Sequence, residues 1–255
     1  MRPKYAHTND QIPLRLNQAS EQAAVHPARR AIMLGAGASV LLSACAQSRA
    51  VRPPGDLAPP QAKVGDLWQY EKFDLYRNEQ TDIVHREVTA THPMLELEIR
   101  SERHGNLGRE VFSKPWSVVV DLSREAPIVF KHPKPQLPAG LIAGDRLTIR
   151  TQWRPAKEGP WLFWSEWIDA EHWEKVTVPA GEFVALRMHR TIAYDHPDSF
   201  RTDNRLTETL WYAREVNYWV QRESTGTYLL PGMRASAPLR EDWVRERLLK
   251  YKPAA

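Results

Sequence analysis

Residues 171–194 read EHWEKVTVPAGEFVALRMHRTIAY, and this stretch decides the fold class. Two runs rich in β-branched and aromatic residues flank Pro179, Ala180 and Gly181. Proline suits the second position of a type I turn and glycine a left-handed residue after it, so the segment is expected to form a β-hairpin of strands 171–178 and 183–194. With Gly181 as a bulge, Val178 pairs with Glu182, Val176 with Val184, Glu174 with Leu186 and Trp173 with Arg187. Val176, Val178, Val184, Leu186, Met188 and Ile192 then share one face. The wetter face carries Trp173, Lys175, Thr177, Arg187 and His189, with Trp173 under the Arg187 guanidinium as a cation–π pair.

Outward from the hairpin, short alternating runs recur along the chain. Residues 94–100 alternate cleanly, with Leu95, Leu97 and Ile99 on one side and Glu96, Glu98 and Arg100 on the other. Further strands are expected at 67–76, 83–90, 110–112, 117–121, 146–153, 161–168, 206–213 and 218–224. Between Ser123 and Gly144, Pro127, Pro133, Pro135 and Pro138 predict a long loop that limits any strand to 128–130. Only the C-terminal end has a helical period. Ser236 can cap it, Val244, Leu248 and Tyr251 fall on one face, and Glu241 with Arg245 and Glu246 with Lys250 lie four apart in the favourable order. The expectation is a single, mainly β domain over 64–255: one antiparallel sheet, strongly curved, a half-barrel or a sandwich, with a C-terminal amphipathic helix laid on it.

The N-terminal part has a different character. Arg29 and Arg30 precede an apolar run over 31–42 that is too short to span a bilayer, the pattern of a secretory signal. Leu42, Ser43, Ala44 and Cys45 resemble a bacterial lipobox, in which the cysteine thiol accepts a diacylglycerol and the cysteine becomes the mature N-terminus. The paired arginines also resemble a twin-arginine export signal, with Ala28 where Ser or Thr is usual. Residues 1–44 are therefore read as a signal peptide, with the segment before Arg29 either a long leader or an upstream extension and Val25 an alternative start. Residues 45–63 form a lipidated Cys45 and a Pro-rich tether. Cys45 is the only cysteine, so no disulfide forms within one chain. The leader holds Arg2, Lys4, Arg15, Arg29 and Arg30 against Asp10 and Glu21, so most of the formal net charge of +4 leaves with it. Nucleic acid is not expected as a partner, because the remaining charges are interspersed.

Three stretches together carry a resemblance: residues 64–70 (VGDLWQY), 176–183 (VTVPAGEF) and 211–216 (WYAREV) with Trp219 and Val220. They resemble a loose group of uncharacterised bacterial envelope β-domains, in which a Gly-Asp and aromatic opening, a Val-Pro-Ala-Gly-x-Phe hairpin and a closing Trp-Tyr strand recur in this order. The resemblance implies an antiparallel sheet and secretion, and it carries over no catalytic residue. Glu215, Val216 and Asn217 stand where the group more often has a glycine-containing turn.

The chemistry-bearing residues are sparse. No Gly-x-Ser-x-Gly elbow occurs, Cys45 is committed to the anchor, and the histidines have no metal-ligand spacing, so no catalytic residue, metal or cofactor is expected. Glu166, Asp169, Glu171 and His172 are the densest titratable group, and two carboxylates flanking a cleft could work on a glycan. The aromatic cluster is the stronger lead. On a strand Trp161, Phe163 and Trp167 share one side and Trp164 takes the other, which makes these four rings candidate ligand-binding aromatics for a sugar chain or an acyl group. The expected role is thus a lipid-anchored, non-catalytic binding or assembly module for a glycan, lipid or protein partner, held at the outer membrane and facing the periplasm. The alternative is an anchored hydrolase that uses the carboxylates between Glu166 and His172.

Overall fold

In the computed structural model the described residues are 61–255, apart from 114–115, 124–125, 138–139, 157 and 233–236. The signal, Cys45, most of the tether and the Ser236 cap lie outside them.

Twelve strands follow one another around a closed barrel, each beside its neighbour in sequence. They are β1 (Leu67–Asp74), β2 (Glu79–Ala90), β3 (Leu95–Ser101), β4 (Gly105–Phe112), β5 (Ser117–Asp121) and β6 (Ile128–Pro135). The second half comprises β7 (Arg146–Pro155), β8 (Leu162–Val178), β9 (Gly181–Tyr194), β10 (Thr202–Ala213), β11 (Tyr218–Leu229) and β12 (Leu239–Lys252). All pairs are antiparallel, and β12 closes the ring on β1. The single antiparallel sheet expected from the alternation is present, curved all the way to closure, which leaves no sheet edge.

The two-residue period explains which side each residue takes. Leu95, Leu97 and Ile99 of β3 are buried, while Glu96, Glu98 and Arg100 face out. Arg109 of β4 reaches Glu96 at 2.9 Å, and Arg100 pairs with Glu87 of β2. An outer face of paired charges is one suited to water, not to hydrocarbon.

The 171–194 hairpin exists, but its register is one residue tighter than expected. Pro179 and Ala180 alone make the turn, and Val178 pairs with Gly181, Val176 with Phe183 and Trp173 with Leu186. Gly181, at φ +136°, stands inside the ladder and not in a bulge beyond it. The irregularity lies lower, between Ala170 and His172. Trp173 consequently turns inward and is buried, and Arg187 lies over Trp211 instead, 5.7 Å from its ring centre. Val176, Val178, Leu186, Met188 and Ile192 are buried as expected, and Val184 is half-buried. The Ala180 N–H donates to the Leu248 carbonyl at 3.0 Å, beyond Gln221 and Arg247 where the β11–β12 ladder stops.

Two further expectations need correction. The C-terminal amphipathic helix is strand β12, since Leu239–Lys252 pairs with both β1 and β11. Val244, Glu246 and Leu248 also fit a period of two. A charge at the middle inward position hid that alternation, and two open ladders outweigh the i,i+4 pairs of an isolated helix. Those pairs do not form: Glu241 binds Arg201 and Arg245 binds Glu223. The long loop after Ser123 contains β6, which runs past Phe130 to Pro135. Its ladder with β7 covers only Ile128, Val129 and Phe130, while Lys134 and Pro135 pair with β5 alone, so the prolines cost few ladder bonds.

One end of the barrel is filled by rings. Trp68, Tyr70, Phe112, Trp116, Tyr218 and Trp219 are fully buried. Tyr70 stacks on Trp219 at 3.8 Å between ring centres, Trp116 on Tyr218 at 4.4 Å, and Trp68 stands 5.1 Å from Tyr218. Trp68 Nε1–H donates to the Val216 carbonyl and Tyr70 O–H to that of Trp219, both at 2.7 Å. The turn that presents the Val216 carbonyl, Arg214–Val216, closes on Asn217 at φ +55°, where asparagine replaces the glycine usual in such turns.

Candidate functional site

Above the ring-filled end, inward positions of successive strands carry charges. Arg86 of β2 donates to Glu110 of β4 at 2.9 Å and lies 3.7 Å from Glu246 of β12. Arg222 of β11, opposite Glu246 in the ladder, donates to Glu208 of β10 at 2.5 Å. Arg190 of β9, opposite Glu208 in turn, bonds it and also reaches Glu166 of β8 with Nε at 2.7 Å. Lys134 of β6 and the Trp164 indole N–H complete the set, each 3.1 Å from Glu166. The result is a belt of alternating charge around the lumen, in which opposite charges pair as buried ions must, while Arg86 Nε, Glu110 Oε2 and Glu246 Oε2 make no hydrogen bond among the described residues.

The belt sets its own protonation. Burial pushes the Glu208 carboxyl up, but Arg222 and Arg190 outweigh it and hold the group at about 2. Glu166 is likewise held low, burial being overcome by Arg190 and then Lys134. Asp121 of β5 is held low against burial by Lys134 and Arg222. Glu110 goes the other way: burial raises its carboxyl more than Arg86 can lower it. Burial lowers the Lys134 ammonium more than Glu166 can raise it.

On the far side of the belt the lumen opens into a cavity of about 610 Å³, within the general size range of small-molecule sites. Arg86, Glu110, Arg222 and Glu246 form its floor. Val84, Ile99, Ile128, Leu206 and Val244 line one part of the wall, and Trp153, Trp164 and Tyr194 another. The rim carries Lys72, His196, Arg240 and Asp242, with Arg201 bound to Glu241 and lying 4.9 Å from the Tyr228 ring centre. The cavity therefore offers a polar end at depth and an apolar sleeve above it. That arrangement can seat a molecule with a hydrogen-bonding head and an apolar body.

The barrel wall divides the aromatic cluster expected from the sequence. Trp164 points into the lumen and is buried, with Phe130 5.1 Å and Tyr194 5.6 Å away between ring centres. Trp161, Phe163 and Trp167 lie on the outside, 36%, 47% and 38% exposed. The wall also divides the titratable group. Glu166 is inside, whereas Asp169 binds Arg146 at 2.6 Å, Glu171 binds Arg187 at 3.0 Å and His172 stands 3.6 Å from Glu174 on the outer surface. These side chains do not face one another across a cleft, so the structure does not assemble the carboxylate site of the hydrolase reading. Among the described residues no group of three or more His, Cys, Asp or Glu side chains is placed to hold a metal ion.

Sequence reasoning missed the belt, although a signal was present. Arg86 stands between Val84 and Val88, Glu166 between Trp164 and Ile168, Arg190 between Met188 and Ile192, Glu208 between Leu206 and Leu210. A charge two residues from a large apolar side chain on both sides marks an inward charge, and its recurrence on several strands marks a ring.

No protein-family model and no curated protein sequence matches the chain. Solved structures similar to it include a candidate lipoprotein from Parabacteroides distasonis, 16% identical with a TM-score of 0.46, covering 77% of this chain and 99% of that one. A candidate exported protein with a YmcC-like fold from Bacteroides fragilis is 14% identical with a TM-score of 0.45 over the same shares. The hypothetical lipoprotein YmcC from Escherichia coli is 10% identical with a TM-score of 0.42, covering 74% of this chain and 86% of that one. Likeness at this level leaves the role of the lumen to be read from its own residues.

Proposed function

We propose that the chain is a lipid-anchored envelope protein that binds a small amphipathic ligand in its barrel lumen and performs no chemistry on it. The observation that carries this reading is the cavity with Arg86, Glu110, Arg222 and Glu246 at its floor and an apolar and aromatic sleeve above. Apolar surface of the ligand gains by leaving water, and its head replaces water with the floor's donors and acceptors. The anchor is Cys45, by the lipobox-like residues before it. Ala46, not being aspartate, directs the mature protein to the outer membrane, where the barrel faces the periplasm.

Two measurements test the parts separately. Cys45→Ser should release the protein from membranes, and a folded variant that still sediments with them removes the anchor. For the lumen, a long-chain fluorescent amphiphile should bind the protein and quench or shift tryptophan emission, since Trp153 and Trp164 line the cavity. Val244→Trp, which fills the half-buried end of the sleeve, should abolish that binding while leaving a cooperative thermal transition. Undiminished binding in the variant overturns the lumen reading.

A further inference from the structure

The outer surface of β7 and β8 differs from the rest of the barrel. Trp161, just before β8, and Phe163 and Trp167 on its outer side are about two-fifths exposed. Across the ladder, β7 places Gln152 opposite Phe163, Arg150 opposite Ser165, Thr148 opposite Trp167 and Arg146 opposite Asp169. Arg154 lies 4.8 Å over the Trp161 ring and Lys131 of β6 5.8 Å from it. Of Lys131, Arg146, Arg150 and Arg154, only Arg146 has a carboxylate partner among the described residues. On β2, β3 and β4, by contrast, acidic and basic side chains pair with each other, Arg109 with Glu96 and Arg100 with Glu87. Here cations pair with rings.

Half-exposed indole and phenyl rings set among arginines and lysines are the side chains that settle at a bilayer interface. The rings enter the headgroup region while the cations meet phosphates. We propose that the outer face of β7 and β8 docks on an anionic phospholipid surface. The cations without a carboxylate partner are complementary in charge to such a surface. The face also adjoins the lumen mouth. The Asp195 N–H bonds the Phe163 carbonyl at 3.1 Å, and His196 and Pro197 of the same turn line the cavity. Docking would hold the opening beside the lipid, although the proposal stands whether or not the lumen binds a ligand.

The test uses the unlipidated protein from Ala46 onward, which is a compact unit whose barrel closes on itself. It is sedimented with vesicles of phosphatidylcholine alone or mixed with phosphatidylglycerol, with tryptophan emission as a second readout. Binding should require phosphatidylglycerol and weaken as salt is raised. Replacing Trp161, Phe163 and Trp167 together by alanine should raise the lipid needed by about tenfold or more, and the pair Arg150→Glu with Arg154→Glu should do the same. The exposed Arg150→Glu alone keeps the test open if the triple variant fails to fold. Arg109→Glu on the β3–β4 face and the lumen-filling Val244→Trp should leave vesicle binding unchanged, which separates this surface from the cavity. Equal binding by the β7–β8 variants and the parent, or no binding to phosphatidylglycerol vesicles, overturns the proposal. So does binding to insoluble cell-wall glycan that the same substitutions abolish, since the face would then belong to a glycan.

Discussion

The two ends of the barrel use the same residue types to opposite effect. At one end Trp68, Tyr70, Trp116, Tyr218 and Trp219 lean on one another and leave no accessible ring surface. At the other, Trp153, Trp164 and Tyr194 touch edge-on or tilted at 5.6 to 6.5 Å and become the wall of a cavity. The charged belt between them accounts for the difference. A twelve-stranded barrel is too wide for one layer of side chains to fill, so its lumen must be plugged, bridged or left open. Here rings plug one end, ion pairs bridge the middle, and the far end stays open. An aromatic residue is core or site according to which side of the belt it occupies.

That comparison is sharpest under truncation. Trp219→Ala removes a ring stacked on Tyr70 and lying 5.3 Å from the Arg86 guanidinium, in surroundings that cannot collapse. It should cost about 4 kcal/mol. Trp153→Ala enlarges a space already open to solvent and should cost about half as much, roughly 2 kcal/mol, because water can enter where the ring was. Urea unfolding of both variants measures the gap. Equal losses would mean that the open end is packed as tightly as the closed one and that the cavity is no site.

How far the chain could be read from its sequence follows from the same contrast. Strands whose inward positions are all apolar, such as Leu95, Leu97 and Ile99, were legible from alternation alone. The 171–194 hairpin was legible from its turn residues, but not its register, because Gly181 at φ +136° fits a strand position as readily as a bulge. Strand β12 was misread as a helix for one reason: Glu246 sits where a strand should show an apolar residue. The belt that makes the inside of the barrel polar thus also erased the period that would have revealed a strand. For the site, the sequence placed Trp164 on the opposite side from Trp161, Phe163 and Trp167. It could not say which side was lumen, since that depends on closure by residues far apart in the chain, Leu67 to Asp74 against Val244 to Lys252.

The smallest expected effect concerns the belt itself and is read by pH. Glu208 ionises in the folded barrel at about 2, below its ordinary 4.5, so its contribution to stability is complete above 4.5 and is lost as the pH falls from there to about 2. Glu166 and Asp121, also held low, act in the same direction. Glu110 is raised, so it stabilises the folded state while protonated and opposes it as the pH rises through its folded value. The three lowered carboxylates predict a thermal midpoint that drops on acidification below 4.5, whereas Glu110 acts above 4.5, where its protonation on the way down from neutral pH favours the folded state. Glu208→Gln should lower the midpoint at neutral pH and flatten the acid limb, because the group that had to be protonated is gone. Glu110→Gln should leave the limb below 4.5 as it is and remove the loss of stability that Glu110 causes as the pH rises from 4.5 toward neutral. Thermal melts of the three proteins between pH 2 and 7 decide the matter. Identical profiles across the whole range would show that the charges titrate independently of the fold, and the belt could then no longer explain why one end of the lumen is sealed and the other open.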